Sequence, residues 1–189
     1  MRTMLMAGVV ALFGIACTGS DSGTLDDTAS LGVGDSAMAP GADTVTVALR
    51  DSAGNELGTL TLREDTGGVA VSGRLRDLPQ GNHAIHLHET GRCEPPFESA
   101  GGHWNPTNRQ HGMENPQGPH FGDLPNLTID ADGSVAIQAT TPGGTLRGAN
   151  ALLDADSAAI VIHAQPDDNR TDPAGGAGNR IACGVVSAS

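Results

Sequence analysis

The sequence of 189 residues has no Lys and no Tyr, and it holds only one Trp and three Phe. It has ten basic residues, all of them Arg, and 22 acidic residues, so the formal net charge is -12. Nucleic-acid binding draws much of its affinity from cationic side chains that neutralise phosphates. The composition therefore argues against DNA or RNA as a partner, and the few aromatic residues leave the core to Val, Ile, Leu and Ala.

An apolar run long enough to cross a bilayer is also missing. The Met4–Ala16 run follows Arg2 and falls short of the roughly 20 residues that a membrane-spanning helix needs. It predicts a signal peptide over residues 1–16. The run ends in Gly14-Ile15-Ala16-Cys17, which resembles a bacterial lipobox, although Gly14 stands where Leu is usual. We expect a lipoprotein signal with a lipid on Cys17, and an ordinary secretory signal remains the alternative.

Cysteines are scarce, and their number is odd. An exported protein with three Cys keeps one unpaired, whereas a lipid on Cys17 would leave Cys93 and Cys183 as an even pair. Export would place that pair where disulfides persist. Residues 17–41 combine the Cys with Ser, Thr, Gly, Ala and Asp and have no basic residue, so we expect a disordered acidic tether.

Residues 42–189 alternate apolar and polar side chains with the period of β-strands. The pattern is clearest at 44–49 and 57–62, which are separated by the turn signal Gly54-Asn55. Further strands are expected at 69–75, 84–88, 127–130, 134–140, 159–164 and 181–187. Short strands with frequent turns predict an all-β domain, an antiparallel sandwich or barrel of about eight strands. Two long strandless stretches, 89–125 and 164–180, are expected to be functional loops.

The histidines cluster where these loops meet the strands. His86 and His88 lie two apart on an expected strand, so their imidazoles point to one face and can chelate a metal. A single His has an ordinary surface or core role as its alternative. One loop, however, adds three more imidazoles and a carboxylate, which suit a closed tetrahedral zinc site: His103, His111, His120 and Asp123.

Six motifs in order resemble the copper/zinc superoxide dismutase family, in particular its periplasmic bacterial branch. The resemblance extends over residues 42–189, and the matching stretches are 81–88, 101–106, 111–112, 118–125, 161–168 and 178–185. It implies a Greek-key fold and a disulfide between Cys93 and Cys183. Ala84-Ile85 replaces the usual Gly-Phe, and Gly112-Met113 replaces a frequent Gly-Gly, but neither change removes a ligand position.

The resemblance also implies two metals with one shared ligand. Copper would bind His86, His88, His103 and His163, and zinc would bind His103, His111, His120 and Asp123. Asp167 would hydrogen-bond a copper ligand and a zinc ligand. Arg180, beside the copper, and the bridging His103 would be the catalytic residues; the alternative for Arg180 is a structural role, in which it caps a loop by bonding to carbonyls.

The implied activity is the disproportionation of superoxide to O₂ and H₂O₂ by copper cycling between Cu(II) and Cu(I). Lipidation would place the protein on a membrane of the cell envelope, facing the periplasm, and secretion to the periplasm is the alternative. Two other functions stay open: a non-catalytic protein that stores or delivers copper and zinc, and a zinc-only structural sandwich. The sequence leaves open the oligomeric state and the choice between inner and outer membrane.

Overall fold

A computed structural model describes residues 44–188, so the expected signal peptide, Cys17 and the tether lie outside the described residues. The described part is all-β, as predicted. It contains one 3₁₀ turn, Glu98–Ala100, and nine strands: β1 Thr44–Asp51, β2 Glu56–Asp65, β3 Gly68–Leu75, β4 Gly81–His83, β5 Ile85–His88, β6 Leu127–Ile129, β7 Val135–Thr140, β8 Ala158–His163 and β9 Arg180–Val186. No helix in residues 44–188 is long and apolar enough to cross a membrane.

Every strand pairing is antiparallel. Seven strands form one sheet in the order β5-β8-β9-β1-β2-β3-β7, and β4 pairs with β6 in a second sheet of two strands. The pairing of β1 with β9 joins the first and last strands, while β3 crosses over to β7 and β5 to β8. Such pairing between strands that are not consecutive in the chain is typical of Greek-key folds.

The alternation along β1 explains why one face of the sheet forms the core. Val45, Val47 and Leu49 are buried while the residues between them are exposed. The turn after β1 is held by the Asp51 carboxylate, whose Oδ1 accepts the N–H groups of Ala53 and Asn55 at 2.9 and 2.8 Å. The expected hairpin between β1 and β2 is therefore present.

Strand β8 is buried on both faces. Ala158, Ile160 and Ile162 pack into the main core, whereas Ala159 and Val161 pack into a second, smaller apolar cluster with Phe97 and Ala100. The chain after β5 covers this outer face, and the disulfide between Cys93 and Cys183 fastens that segment to β9.

Two features differ from the sequence-based expectation. The strand expected at 84–88 begins one residue later, at Ile85, and an unexpected short strand, β4, precedes it. Ala84 separates the two strands, because its N–H donates to Gln165 O and its carbonyl accepts from His163 N–H, each at 2.9 Å. The chain thereby passes from the small sheet to the large one.

In addition to the two predicted loops, a third stretch, 141–157, contains no strand. Its backbone is held partly by Glu64, whose Oε1 accepts the Leu146 N–H at 2.6 Å.

Candidate metal centre

Three of the clustered histidines are positioned by strand pairing. On β5, Ile85 and Leu87 point into the core, so His86 and His88 lie on the opposite face. β8 runs antiparallel beside it and ends in His163, on the same side as Val161. The Nε2 atoms of His88 and His163 are 3.4 Å apart. The sheet register alone therefore brings together three imidazoles.

The remaining ligand-type side chains come from the loop between β5 and β6. Three backbone hydrogen bonds of 2.9 Å join its parts in a closed triangle: Leu87 N–H donates to Gly122 O, Gly122 N–H to Trp104 O, and Trp104 N–H to Leu87 O. A Cβ on Gly122 would lie 2.2 Å from Leu87 O, so this approach requires glycine. The triangle places His103 and Asp123 beside β5.

Two four-residue groups result, and His103 belongs to both. In each group every member offers one ligand atom within 4.8 Å of the others, and all members are buried. The first group is His86, His88, His103 and His163, and the second is His103, His111, His120 and Asp123. The structure thus brings together all seven side chains that the sequence analysis assigned to copper and zinc.

Four of the nitrogens that face away from the two groups have partners. On the first group, His88 Nδ1 lies 3.0 Å from Gly101 O, and His163 Nδ1 lies 3.3 Å from Gly178 O. Asp167 joins the two groups, since its Oδ2 lies 2.8 Å from His86 Nε2 and its Oδ1 lies 2.9 Å from His111 Nε2. Such contacts fix both the ring orientation and the tautomer of a ligand histidine.

Two buried nitrogens have no partner among the described residues: His86 Nδ1 and His103 Nε2. An unpaired buried polar atom is costly, so each requires an explanation. Both belong to the first group, whereas His103 Nδ1 lies 3.0 Å from Asp123 Oδ1 in the second. A metal in the first group would satisfy both orphan atoms, and His103 would then bridge two metals through its two nitrogens.

The donor sets suit two different metals. An all-imidazole group accommodates copper, whereas three imidazoles and a carboxylate form a closed tetrahedral set for zinc. Asp123 is well prepared for this role, because its Oδ2 accepts the N–H groups of Gly112 and His120 at 2.9 and 3.0 Å. Although burial raises its pKa, hydrogen bonds from His103, His111 and His120 hold that pKa far below its usual value.

Individual histidines of the two groups differ in their proton affinity. Burial, with the nearby charges of His103 and Arg180, lowers the pKa of His88 to about 2. Burial likewise lowers the pKa of His163 to about 3. For His111 burial acts in the same direction, but hydrogen bonds to Asp123 and Asp167 outweigh it and raise the pKa to about 9.

The remaining predicted residues lie around this centre. Arg180 begins β9 and lines a cavity of about 400 Å³ together with His88, His103 and His163. Its Nη1 and Nη2 donate to Phe97 O and Gly101 O, each at 2.7 Å. Phe97 and Gly101 belong to the segment that the Cys93–Cys183 disulfide fastens to β9. Cys17 lies outside the described residues.

Sequence reasoning missed several groups that hold the centre. Backbone carbonyls such as Gly101 O have no sequence signature. Gly175 has a φ of +62°, and a Cβ there would lie 1.9 Å from Asp167 Oδ1. Asn126 pairs with both backbone groups of Asp167 at 2.8 Å. Only the run Gly175-Gly176 offered a signal in the sequence, as a place where the backbone approaches another group closely.

Comparisons with known proteins agree with this geometry. The model of the family "Copper/zinc superoxide dismutase (SODC)" matches residues 56–186. A "Superoxide dismutase [Cu-Zn] 1" from Aquifex aeolicus is 45% identical over 137 residues, which are 70% of this chain and 81% of that protein. One from Caulobacter vibrioides is 43% identical over 146 residues, or 75% of this chain and 84% of that protein.

Solved structures show the same fold. A SOD-like protein from Bacillus subtilis has a TM-score of 0.73 and 37% identity, and the match covers 77% of this chain and 99% of that one. The Cu/Zn superoxide dismutase from Brucella abortus has a TM-score of 0.61 and 30% identity, over 76% of this chain and 99% of that one. The chain belongs to the copper/zinc superoxide dismutase family.

Proposed function

We propose that this protein disproportionates superoxide, converting two O₂•⁻ and two protons to O₂ and H₂O₂. The observation that carries the proposal is the shared His103, whose Nδ1 faces Asp123 while its Nε2 is a buried orphan in the all-imidazole group. Copper would be held by His86, His88, His103 and His163, and zinc by His103, His111, His120 and Asp123. Bound copper supplies the one-electron Cu(II)/Cu(I) couple for both half-reactions, and zinc has a structural role.

The protein's own groups support this chemistry at two points. His103 Nε2 is the atom that can hold a proton for the peroxide product, because Nδ1 stays on the zinc side of the ring. Burial lowers the pKa of His103 to about 4, although the hydrogen bond that the ring donates to Asp123 partly opposes this shift. Without metal the ring is therefore neutral near pH 7, which is the form of histidine that binds a metal.

Arg180 supplies positive charge at the cavity where a small anion enters. Its side chain is 14% exposed and bonds to carbonyl oxygens, while the nearest carboxylate, Glu98, is 3.8 Å away and itself 74% exposed. Because the two strong hydrogen bonds go to neutral acceptors, the guanidinium charge is not cancelled. Distant surface carboxylates are screened over about 8 Å at physiological salt, so the charge at the mouth outweighs the net charge of -12.

The test is superoxide decay, followed by pulse radiolysis, with the purified protein carrying one copper and one zinc. We expect decay near the diffusion limit that disappears when copper is removed and returns when copper is restored. Background decay with copper demonstrably bound would contradict the enzyme assignment. The same ligand set would then describe copper and zinc storage or delivery.

We also propose that the protein works at the cell envelope, facing the periplasm, attached through a lipid on Cys17. Support comes from the lipobox-like residues 14–17 and the acidic stretch that follows. Superoxide is charged and crosses membranes poorly, so an enzyme outside the inner membrane would intercept an external source. Mass spectrometry of the N-terminus tests this: a diacylglyceryl Cys17 is expected, and cleavage without lipid would leave a secreted periplasmic enzyme.

A further inference from the structure

His120 differs from the other ligand-type histidines in the partner of its outward nitrogen. Its Nδ1 faces the zinc group, 3.4 Å from both His103 Nδ1 and Asp123 Oδ1. Its Nε2 therefore points outward and has no hydrogen bond of ordinary length among the described residues. The one ionic neighbour of Nε2 in residues 44–188 is Asp172 Oδ1, 3.8 Å away.

Asp172 reaches this position from the loop between β8 and β9, which contributes none of the zinc ligands. The same Oδ1 accepts the backbone N–H of His111 at 2.7 Å. One carboxylate oxygen therefore touches the backbone of one zinc histidine and faces the ring of another. Asp172 also lines the cavity together with His120 and Arg180, and its side chain is 51% exposed.

We infer that Asp172 is a positioning residue for the zinc site, which orients the His120 ring through its outward Nε2. A distance of 3.8 Å is too long for a direct hydrogen bond but allows attraction between the carboxylate and the Nε2–H dipole. Asp167 has the corresponding role for His111, at 2.9 Å. With Asp172, both loop histidines that bind only zinc have a carboxylate on their outward side.

This inference rests on the zinc assignment of the proposed function. Loss of a partner of this kind costs about 10- to 100-fold in metal affinity. Because Asp172 is half-exposed and lies beyond hydrogen-bond distance, we expect an effect near the lower limit. Copper should be unaffected, since no copper-only ligand touches Asp172.

The experiment measures zinc transfer from the copper- and zinc-loaded protein to a chromogenic chelator. Asp172→Asn retains an oxygen that can accept the His111 N–H but removes the charge, and zinc release should be about 10-fold faster. Asp154→Asn is the control, because Asp154 is exposed on the 141–157 stretch and removes the same charge away from the zinc group. Cobalt(II) in the zinc position should show a changed visible spectrum in Asp172→Asn only.

A structural role confined to the His111 N–H predicts a different result. Asp172→Asn would then release zinc like Asp154→Asn, and only Asp172→Ala would release it faster. That result, with an unchanged cobalt spectrum in Asp172→Asn, would overturn the inference. Both measurements are independent of turnover, so an inactive protein with the expected zinc release would contradict the proposed function and leave the role of Asp172 intact.

Discussion

The two histidine groups, the first proposed to bind copper (the copper group) and the second proposed to bind zinc (the zinc group), are adjacent and share His103, yet they are built differently. Three of the four copper-group side chains lie on paired strands, whereas all four zinc-group side chains lie in one long loop. The outward nitrogens of His88 and His163 face neutral carbonyls, while those of His111 and His120 face carboxylates. The proposed copper group is thus held mainly by the sheet and has a carboxylate behind only one of these three strand histidines, Asp167 at His86. Both loop histidines of the proposed zinc group, His111 and His120, have a carboxylate on the outward side.

The largest effect is expected from removing a ligand held by the sheet. His163→Ala deletes one copper imidazole and leaves the zinc loop in place, so turnover should fall to background. Metal analysis by mass spectrometry should show copper lost and zinc retained near one equivalent. Equal loss of both metals would mean that the two groups are not separately built.

Asp167, the carboxylate that contacts both His86 and His111, can be displaced without being mutated. Gly175 and Gly176 have φ of +62° and +65°, but a Cβ on Gly175 would lie 1.9 Å from Asp167 Oδ1, whereas a Cβ on Gly176 meets nothing within 4 Å. Gly175→Ala should therefore weaken zinc binding about 10- to 100-fold, measured by chelator competition.

The matched control is Gly176→Ala. It carries the same left-handed backbone strain, about 1–2 kcal/mol, and should lower thermal stability without changing zinc affinity. Equal zinc affinities in the two variants would show that contact with Asp167 does not matter.

Removing the positive charge of Arg180 at the cavity is expected to have a smaller effect on turnover than removing a copper ligand. Arg180→Ala should slow superoxide capture about 10-fold at low salt and flatten the dependence of the rate on ionic strength. Arg180→Lys restores the charge but not the fork that bonds to two carbonyls, so it should recover the salt dependence. Arg74→Ala, on the exposed side of β3, is the control for net charge. A salt dependence in Arg180→Ala like that of Arg74→Ala would make Arg180 purely structural.

The last prediction concerns how the stability of the metal-free protein depends on pH, because histidines of the two groups contribute to it in opposite directions. The pKa values of His88 and His163 lie below the ordinary 6.5, so the unfolded chain takes up protons first and stability falls as the pH drops below about 6.5. The pKa of His111 is raised to about 9, so its stabilisation is complete below 6.5 and is lost as the pH rises toward 9. Urea midpoints after chelation should be highest near neutral pH, and an unchanged midpoint between pH 7 and 9 would contradict the His111 assignment.

Local patterns in the sequence predicted the strands and the residues able to bind metal. The alternation along β1 and β2 was sufficient, because one face of each strand packs into the core. The break at Ala84 could not be predicted, since it depends on bonds to Gln165 and His163, about eighty residues away. The same holds for Asp172, which reads as a turn residue in Thr171-Asp172-Pro173 until the loop folds over the zinc group.

The closed backbone triangle of Leu87, Trp104 and Gly122 bears on the order in which a refolding chain completes its sites. The triangle lies within a short stretch of sequence, from Leu87 to Gly122. The proposed zinc ligands lie within a short stretch as well, residues 103–123. The proposed copper ligands span residues 86–163, almost four times the length of chain spanned by the zinc ligands. Bringing the ends of this longer segment together costs about 1 kcal/mol more in chain entropy. Local contacts can therefore gather the proposed zinc ligands, and Asp167 and Asp172 join them when the loop after β8 folds over. The proposed copper ligands come together only when β8 docks beside β5. We therefore expect the proposed zinc ligands to come together before the copper ligands, so that the redox site is completed last.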